Sequence, residues 1–347
     1  MAVGFRHIYR TARYLRSCRD LVDLETFLKI PKAYISLLSV NPQYYKFERP
    51  KKGGGIRKIE APNKDLKELL KKLNFALQCV YFFEKSEAAY GFVMSHKGNK
   101  SPRNILTNAR KHLHAPYLLN VDFKDFFHQI SKNGVFEIFS RFPFHFSKET
   151  ATILSKLCTY KGRLPMGSPT SPVLSYFVTL PLDLELEKMA ADRKITYTRF
   201  VDDLSFSSNE KIGESVLNSV KVIVGKFNLS FNNKKTKWYG PTNVKIVTGL
   251  EVVDTIRIPG SFYYELSQDL KRLKFSVEAQ LQVMGNRENE MIEAFKQQVS
   301  GKISFLQMIL GVNDEKYLKY LGDYEEAINP VVDHLSLRWT DFPYNHF

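Results

Sequence analysis

The sequence predicts an α+β fold: an antiparallel sheet with acids at its strand ends, backed by helices and followed by a helical C-terminal part. Three observations carry this. Two β-prone apolar runs, Tyr117–Val121 and Tyr197–Phe206, meet acids, Asp122 in the first and Asp202-Asp203 in the second. Leu66, Leu69, Leu70, Leu73, Leu77 and Val80 recur at helical spacing. From about Ser261 onward the pattern is helical and strongly charged.

Along the chain, residues up to about Ile30 read as helix. Lys51-Lys52-Gly53-Gly54-Gly55 is a flexible basic loop, Ile56-Arg57-Lys58-Ile59 alternates as a strand does, and Ala61-Pro62-Asn63-Lys64 ends it before the leucine-striped helix. Leu164–Pro172 is turn-rich, and Pro172 suits the first turn of a following helix with Thr170 or Ser171 as its cap. Tyr197–Phe206 reads as strand, acid turn, strand, and Val244–Val253 as a strand interrupted by Gly249. No internal repeat or low-complexity tract is visible.

The 347 residues are 44% hydrophobic and 25% charged, enough for a buried core and two or three lobes. A net charge of +15 calls for a polyanionic partner bound in a salt-dependent way. The 26 Phe and 18 Tyr chiefly fill a core, with some free to stack on bases or sugars. Cys18, Cys79 and Cys158 are odd in number and form no CxxC pair, so neither a disulfide framework nor a zinc site is expected and a reducing compartment fits. No apolar run has membrane-span length and no secretory h-region follows the start, so no membrane association is expected. Arg6, Arg10, Arg13, Arg16 and Arg19 recur at helical spacing before the first acid, Asp20. A transit peptide, a solvated face and a helix lying along RNA share that pattern; the polyanion demanded by the rest of the chain favours the last.

Phe200-Val201-Asp202-Asp203 places two carboxylates side by side between β-prone runs. Such a pair repels itself, and a hard divalent cation with oxygen ligands removes that cost. A solvated Asp-Asp turn is the commoner fate of a bare pair, but Asp122 changes the odds. Strand-end acids 80 residues apart can meet in an antiparallel sheet. Phosphoryl transfer by two cations roughly 4 Å apart needs that arrangement. Between them, Leu164-Pro165-Met166-Gly167-Ser168-Pro169-Thr170-Ser171-Pro172 allows a backbone to approach a nucleotide or template closely.

The order Asp122-Phe123-Lys124-Asp125-Phe126-Phe127, then LPMGSPTSP, then FVDD resembles the A, B and C motifs of reverse transcriptases, and Leu229–Lys237 looks like their D motif. The resemblance covers roughly residues 50 to 250 and implies a right-hand polymerase with fingers, antiparallel-sheet palm and helical thumb. It implies Asp122, Asp202 and Asp203 as catalytic metal ligands, joined by the Phe123 carbonyl, for two Mg2+ ions with Mn2+ as a substitute. Phe127 matches the aromatic that excludes a 2′-hydroxyl, so dNTPs are the expected substrate. Arg57, with Lys58 as a lesser candidate, matches the triphosphate-binding position, and Lys235 is a candidate to neutralise or protonate pyrophosphate, weighed evenly against a solvated lysine. Met166 stands where the family usually has Gln, and Phe200 where Tyr is common; neither removes a metal ligand.

Asn108-Ala109-Arg110-Lys111-His112 fits the NAxxH pattern of retron reverse transcriptases, and Val247-Thr248-Gly249 their VTG pattern. Each also reads blandly, as a buried histidine with a capping asparagine and as a strand ending at glycine. The retron resemblance implies a bacterial cytoplasmic enzyme bound to a structured non-coding RNA template and its cDNA. It also implies a branched product, msDNA, and an effector protein partner in antiphage defence. RNA contacts are expected at Asn108, His112, Val247, Thr248 and Gly249, and at Lys271 and Arg272 of the thumb, beside Lys274 and Gly301–Phe305. Group II intron enzymes, other defence reverse transcriptases and a non-catalytic RNA-binding scaffold are the alternatives. The short stretch after the D-like motif disfavours the first, NAxxH and VTG the second, and the three acids the third. The expected divisions are 1–88 N-terminal helices and fingers, 89–129 palm, 130–163 fingers insertion, 164–257 palm and 258–347 thumb; no separate RNase H domain is expected.

Overall fold

The computed structural model describes residues 3–50, 54–284 and 289–330. Two compact units divide the chain, Met1–Ile256 and Arg257–Phe347. The first begins with α1 (Phe5–Ser17), α2 (Leu21–Leu28) and α3 (Lys32–Val40), then the hairpin β1 (Tyr44–Pro50) and β2 (Ile56–Pro62), then α4 (Lys64–Glu84). Next come α5 (Ile105–Arg110), β3 (Tyr117–Asp122), α6 (Phe126–Gln129), α7 (Lys132–Ser140), α8 (Lys148–Cys158), α9 (Ser171–Val178) and α10 (Leu180–Asp192). The unit closes with β4 (Thr196–Phe200), β5 (Asp203–Ser208), α11 (Glu214–Lys226), β6 (Lys237–Tyr239), β7 (Lys245–Val247) and β8 (Leu250–Val252).

The central sheet has the order β4-β5-β3-β6 and is antiparallel throughout. Helix α4 forms where the leucine stripe predicts it. Asn63 caps its first turn by accepting from the Leu66 amide at 3.0 Å, and the whole stripe is buried. Ile8, Ala12 and Leu15 of α1 are buried in the same core. Each large apolar side chain so buried contributes roughly 1.5–3 kcal/mol, so this cluster outweighs any single polar contact described below.

Two local readings are corrected. Val244–Val253 is a hairpin: Val247 pairs with Leu250, and Thr248 (φ +48°) and Gly249 (φ +82°) make a two-residue turn with both φ values positive, the type I′ geometry that matches strand twist. Pro172 does lie in the first turn of α9, but neither Thr170 nor Ser171 caps it by its side chain. The Thr170 hydroxyl lies 3.2 Å from that of Ser168, and Ser171 Oγ donates to the Pro165 carbonyl at 2.7 Å, so both tie down the loop before the helix. Of the basic glycine loop, residues 51–53 lie outside the described residues, while Gly54 and Gly55 have positive φ.

The second unit packs α12 (Gly260–Met284), α13 (Glu290–Leu310) and α14 (Glu315–Ile328) on one another. Phe262 packs on Phe305, and Lys302 pairs with Asp269 at 2.6 Å. The part of the expected thumb from residue 331 onward lies outside the described residues. No helix among the described residues is long and apolar enough to cross a membrane.

His112, just after α5, is buried against the sheet, its ring nitrogens 2.7 Å from Ser207 Oγ on β5 and 2.7 Å from Thr198 Oγ1 on β4. Burial, aided by the charge of Lys111, pushes it down to about 3. The unfolded chain takes up a proton near pH ~6.5 that the folded chain refuses. The stability this histidine contributes is therefore full above that value and is lost as pH falls toward 3, at up to ~1.4 kcal/mol per pH unit. We expect the stability gap between wild type and His112→Gln to shrink by about 2 kcal/mol from pH 7 to pH 5, read by urea denaturation at both pH values.

Candidate active site

The β3–β5 ladder sets Asp122 directly opposite Asp203, and the β4–β5 ladder sets Phe200 opposite Asp203, leaving Val201-Asp202 as the turn. Side chains opposite each other in an antiparallel pair have Cβ atoms roughly 5 Å apart, so strand pairing alone brings Asp122 and Asp203 together. Beyond β3 the backbone continues beside the Leu229–Asn232 segment. The Lys124 amide donates to the Ser230 carbonyl at 3.0 Å and the Asn232 amide to the Asp122 carbonyl at 2.8 Å. A single 3₁₀ turn, Asn233–Lys235, then delivers Lys235, whose Nζ donates to both Asp122 oxygens at 2.9 and 3.0 Å. Phe123 is buried, stacked between Phe126 and Phe231, and its amide donates to the Asp202 carbonyl at 3.0 Å.

The acid turn carries a strained residue. Val201 has φ +61°, a region β-branched side chains avoid. Both of its backbone polar groups are held. The amide donates to Tyr176 Oη at 2.7 Å, and the carbonyl accepts from Arg199 Nη1 at 2.9 Å. Tyr176 Oη also accepts the Gly91 amide at 3.0 Å. A Cβ on Gly91 would lie 2.6 Å from that oxygen and 2.8 Å from Val201 Cγ2, so only glycine fits. Arg199 is wholly buried, its guanidinium 4.3 Å over the Tyr176 ring and forked onto Asp183, to which Tyr197 Oη also donates at 3.0 Å.

The charges are crowded. Burial and then the charge of Asp122 push Asp202 above the usual carboxylate range. Burial, then Asp202 and Asp122, do the same to Asp203. Asp203 still reaches solvent, so like-charge crowding carries its shift more than desolvation does. The hydrogen bond to Asp122 raises Lys235. An oxygen-rich set with this much negative charge suits hard divalent cations. Among the described residues no three His, Cys, Asp or Glu side chains stand arranged as a preformed cage; Lys235 holds Asp122 instead.

The β1–β2 hairpin meets the loop before α9 through backbone. The Glu60 amide donates to the Met166 carbonyl at 2.7 Å, and Gly167 (φ +131°) lies so close that a Cβ would meet Ile59 Cγ2 at 2.8 Å. Glu60 is buried and forked by Arg163 at 2.7 and 3.0 Å, with His128 at 3.4 Å. Burial acts to raise Glu60, but Arg163, then His128 and Lys46, outweigh it and hold it below the usual range. Arg57 on β2 is exposed and near enough for its charge to act on Asp202, whereas strand alternation turns Lys58 to the other face. Phe127 is half-buried against Phe126, and Met166 is half-buried.

The expected RNA contacts divide. Asn108 and His112 are buried, so an RNA strand has no access to either; this corrects the expectation. NAxxH here is a packing motif because its histidine bridges two strands, and the residue that caps α5 is Asn104, not Asn108. Val247 is also buried, Thr248 is half-buried with its hydroxyl donating to the Ile105 carbonyl at 3.3 Å, and Gly249 is exposed. Thus the VTG turn is tied to the start of the helix that carries NAxxH. Lys271 and Arg272 are exposed on α12, and Lys274 pairs with Glu326 at 2.5 Å. Sequence reasoning missed Tyr176, Asp183, Arg199, Gly91 and Glu60; the one available signal was a charged residue, Arg199, inside an apolar strand.

A family model described as reverse transcriptase (RNA-dependent DNA polymerase) matches residues 49–256. The Retron Ec86 reverse transcriptase of Escherichia coli is 34% identical over 161 residues, 45% of this chain and 48% of that protein. The chain thus spans about half of that relative. The Retron Ec73 reverse transcriptase of Escherichia coli is 30% identical over 258 residues, 69% of this chain and 78% of that protein. A solved telomerase from Candida albicans overlays with a TM-score of 0.42 at 13% identity, over 84% of this chain and 61% of that one, too remote to carry an argument.

Two outcomes follow from this geometry. Tyr176→Phe leaves the buried Val201 and Gly91 amides without an acceptor, costing roughly 2–6 kcal/mol at 1–3 kcal/mol for each unsatisfied donor; chemical denaturation measures it. Asp203 has a raised folded value, so its penalty on folding is absent below the ordinary carboxylate range and grows as pH rises through it. In EDTA, Asp203→Asn therefore melts higher than wild type at pH 8, and the difference closes toward pH 4; equal melting curves at pH 8 would sink the crowding argument.

Proposed function

This chain belongs to the reverse transcriptase (RNA-dependent DNA polymerase) family, within it to the retron type, and from that premise we propose that it copies a structured non-coding RNA into DNA at Asp122, Asp202 and Asp203. The observation that carries this reading is the β3–β5 register, which sets Asp122 against Asp203 with Asp202 in the adjoining turn. In the reaction a 3′-oxygen attacks the α-phosphorus of a dNTP, the bond to the α,β-bridging oxygen breaks, and pyrophosphate leaves.

The three carboxylates, with the Phe123 carbonyl, are the groups that would hold two Mg2+ ions, or Mn2+. Such ions supply activation of the attacking hydroxyl and neutralisation of the leaving group. Arg57 binds triphosphate oxygens, in keeping with its exposed place on β2 and the reach of its charge to Asp202. Phe127, on the short helix that follows β3, fills the space a 2′-hydroxyl would take. Met166 lines the nucleotide from the loop whose backbone is fixed to β2. Lys235 carries the proton nearest the acids, held on Asp122 and available to the departing pyrophosphate. Lys271, Arg272 and the exposed turn at Gly249 remain open to RNA. The product is branched msDNA, made in the bacterial cytoplasm and serving phage defence together with an effector protein.

The test is to express the chain with its genomic flanks, extract nucleic acid, and treat it with RNase and debranching enzyme beside Asp202→Ala/Asp203→Ala. We expect a small DNA that shifts on debranching and falls by on the order of 10³-fold or more in the variant, the scale set by loss of transition-state electrostatics. Unbranched, acid-dependent DNA would place the enzyme with other defence reverse transcriptases. DNA indifferent to both substitutions would remove Asp202 and Asp203 from the chemistry.

A further inference from the structure

Helix α1 buries Ile8, Thr11, Ala12 and Leu15 and turns Phe5, Arg6, Tyr9, Arg10, Arg13 and Tyr14 outward. Their spacing is that of one helical face, so each turn presents an aromatic ring beside a guanidinium: Phe5 with Arg6, Tyr9 with Arg10, Tyr14 with Arg13. The rings are half-exposed, 47%, 50% and 45% for Phe5, Tyr9 and Tyr14. Arg6, Arg10 and Arg13 have no acid within reach among the described residues, and no Asp or Glu precedes Asp20. Arg16, one turn further on, differs: it pairs with Glu84 of α4 and lies 6.0 Å from the Phe83 ring, fastening the helix end to the core. Helix α1 is thus firmly seated by one face, while the other is left with three unneutralised cations and three half-exposed rings, each resting on a neighbouring aromatic: Phe5 on Phe82, Tyr9 on Phe83 and Tyr14 stacked on Phe27.

We propose that this face of α1 is a binding site for an unpaired segment of RNA, separate from the acids on β3 and β5. The chemistry selects that partner. Three guanidinium groups without counter-charges match phosphates. Half-exposed rings about one turn apart leave their free sides to unstacked bases, and a paired duplex would leave them nothing to stack on. RNA is preferred to DNA because, on the reading given above, which this inference rests on, RNA is the partner present before any DNA is made. The site holds the RNA by a part of it that is not being copied.

The experiment uses the full chain and a fluorescently labelled oligouridylate too short to fold, with primer–template duplex present at saturation to occupy the polymerase cleft. Anisotropy is read for wild type, R6Q/R10Q/R13Q and Y9A/Y14A. The three arginines are exposed, so the arginine variant should melt at the wild-type value; Y9A/Y14A gives up ring contacts with Phe83 and Phe27 and should melt lower, with unchanged far-UV circular dichroism at the assay temperature showing that α1 remains seated. We expect each variant to weaken uridylate binding at least tenfold. The arginine variant should also flatten the dependence of log affinity on log salt by about 2, three phosphate contacts at ~0.7 each on a single strand. Binding within twofold of wild type in both variants would overturn the site. Oligothymidylate held tenfold more tightly than oligouridylate would overturn the choice of RNA. Primer extension on oligo(dT)·poly(rA) is followed in the same preparations. If wild type fails to extend, the polymerase reading falls while the α1 measurement stands; normal extension with lost uridylate capture supports both.

Discussion

Three carboxylates forced to one end of a two-strand ladder are the constraint on which the rest of the first unit depends. Two like charges about 4 Å apart repel by roughly 4 kcal/mol at an effective dielectric near 20. A net backbone hydrogen bond returns only ~0.5–1.5 kcal/mol. No single contact can hold Asp122 opposite Asp203; the register of the whole β3–β5 ladder does it, six pairs from Tyr117–Ser208 to Asp122–Asp203. The ladder in turn is held by the core beneath it, where Leu119, Val121, Leu204 and Phe206 are buried. Lys235 relieves part of the repulsion, and it reaches Asp122 because the segment before it runs beside β3 as an extra, irregular strand.

The buried Arg199–Asp183 pair belongs to the same problem rather than to stability. A fully desolvated ion pair seldom improves on a well-packed apolar pair of the same volume, although removing one partner is costly. What an apolar pair could not do is donate to the Val201 carbonyl while Tyr176 accepts the Val201 amide. A valine at positive φ costs about 1–3 kcal/mol and persists only where its surroundings over-determine it. Here Arg199, Tyr176 and the close approach of Gly91 do so from three separate segments. The strain positions the Asp202 side chain relative to Asp122, which the ladder alone cannot do, since Asp202 lies beyond its last pair.

What the sequence made legible follows from range. Asp122, Asp202 and Asp203 stood out because strand periodicity and an abrupt acid are local signals, and the leucine stripe of α4 is likewise local. The Tyr176–Val201–Arg199–Asp183 network is not local: its members come from α9, α10, β4 and the β4–β5 turn and are joined by tertiary contact, so no spacing announces them. NAxxH was visible as a pattern but its role was not. Whether a histidine faces RNA or a sheet depends on burial, and the hydroxyls of Thr198 and Ser207 that receive it are more than 80 residues away in the chain. For VTG, the glycine was read as a break in a strand; its positive φ makes it a reversal, and Thr248 tolerates the same region with its hydroxyl tied to α5.

That tie connects the VTG hairpin with the strands that carry the acids. Asn120 lies on β3 two residues before Asp122, so the two side chains share a face. Its amide nitrogen donates to the Ile246 carbonyl of β7 at 2.6 Å, and its oxygen accepts from Ser205 Oγ of β5 at 3.1 Å. One side chain therefore joins the VTG hairpin to both strands that carry the acids, and Thr248 joins the same hairpin to α5, from whose end His112 reaches β4 and β5. The hairpin, α5 and the acid-bearing strands thus form one hydrogen-bonded frame. A load applied at the exposed turn around Gly249 is borne by β3 itself, so a partner grasped there bears on the strand that ends in Asp122.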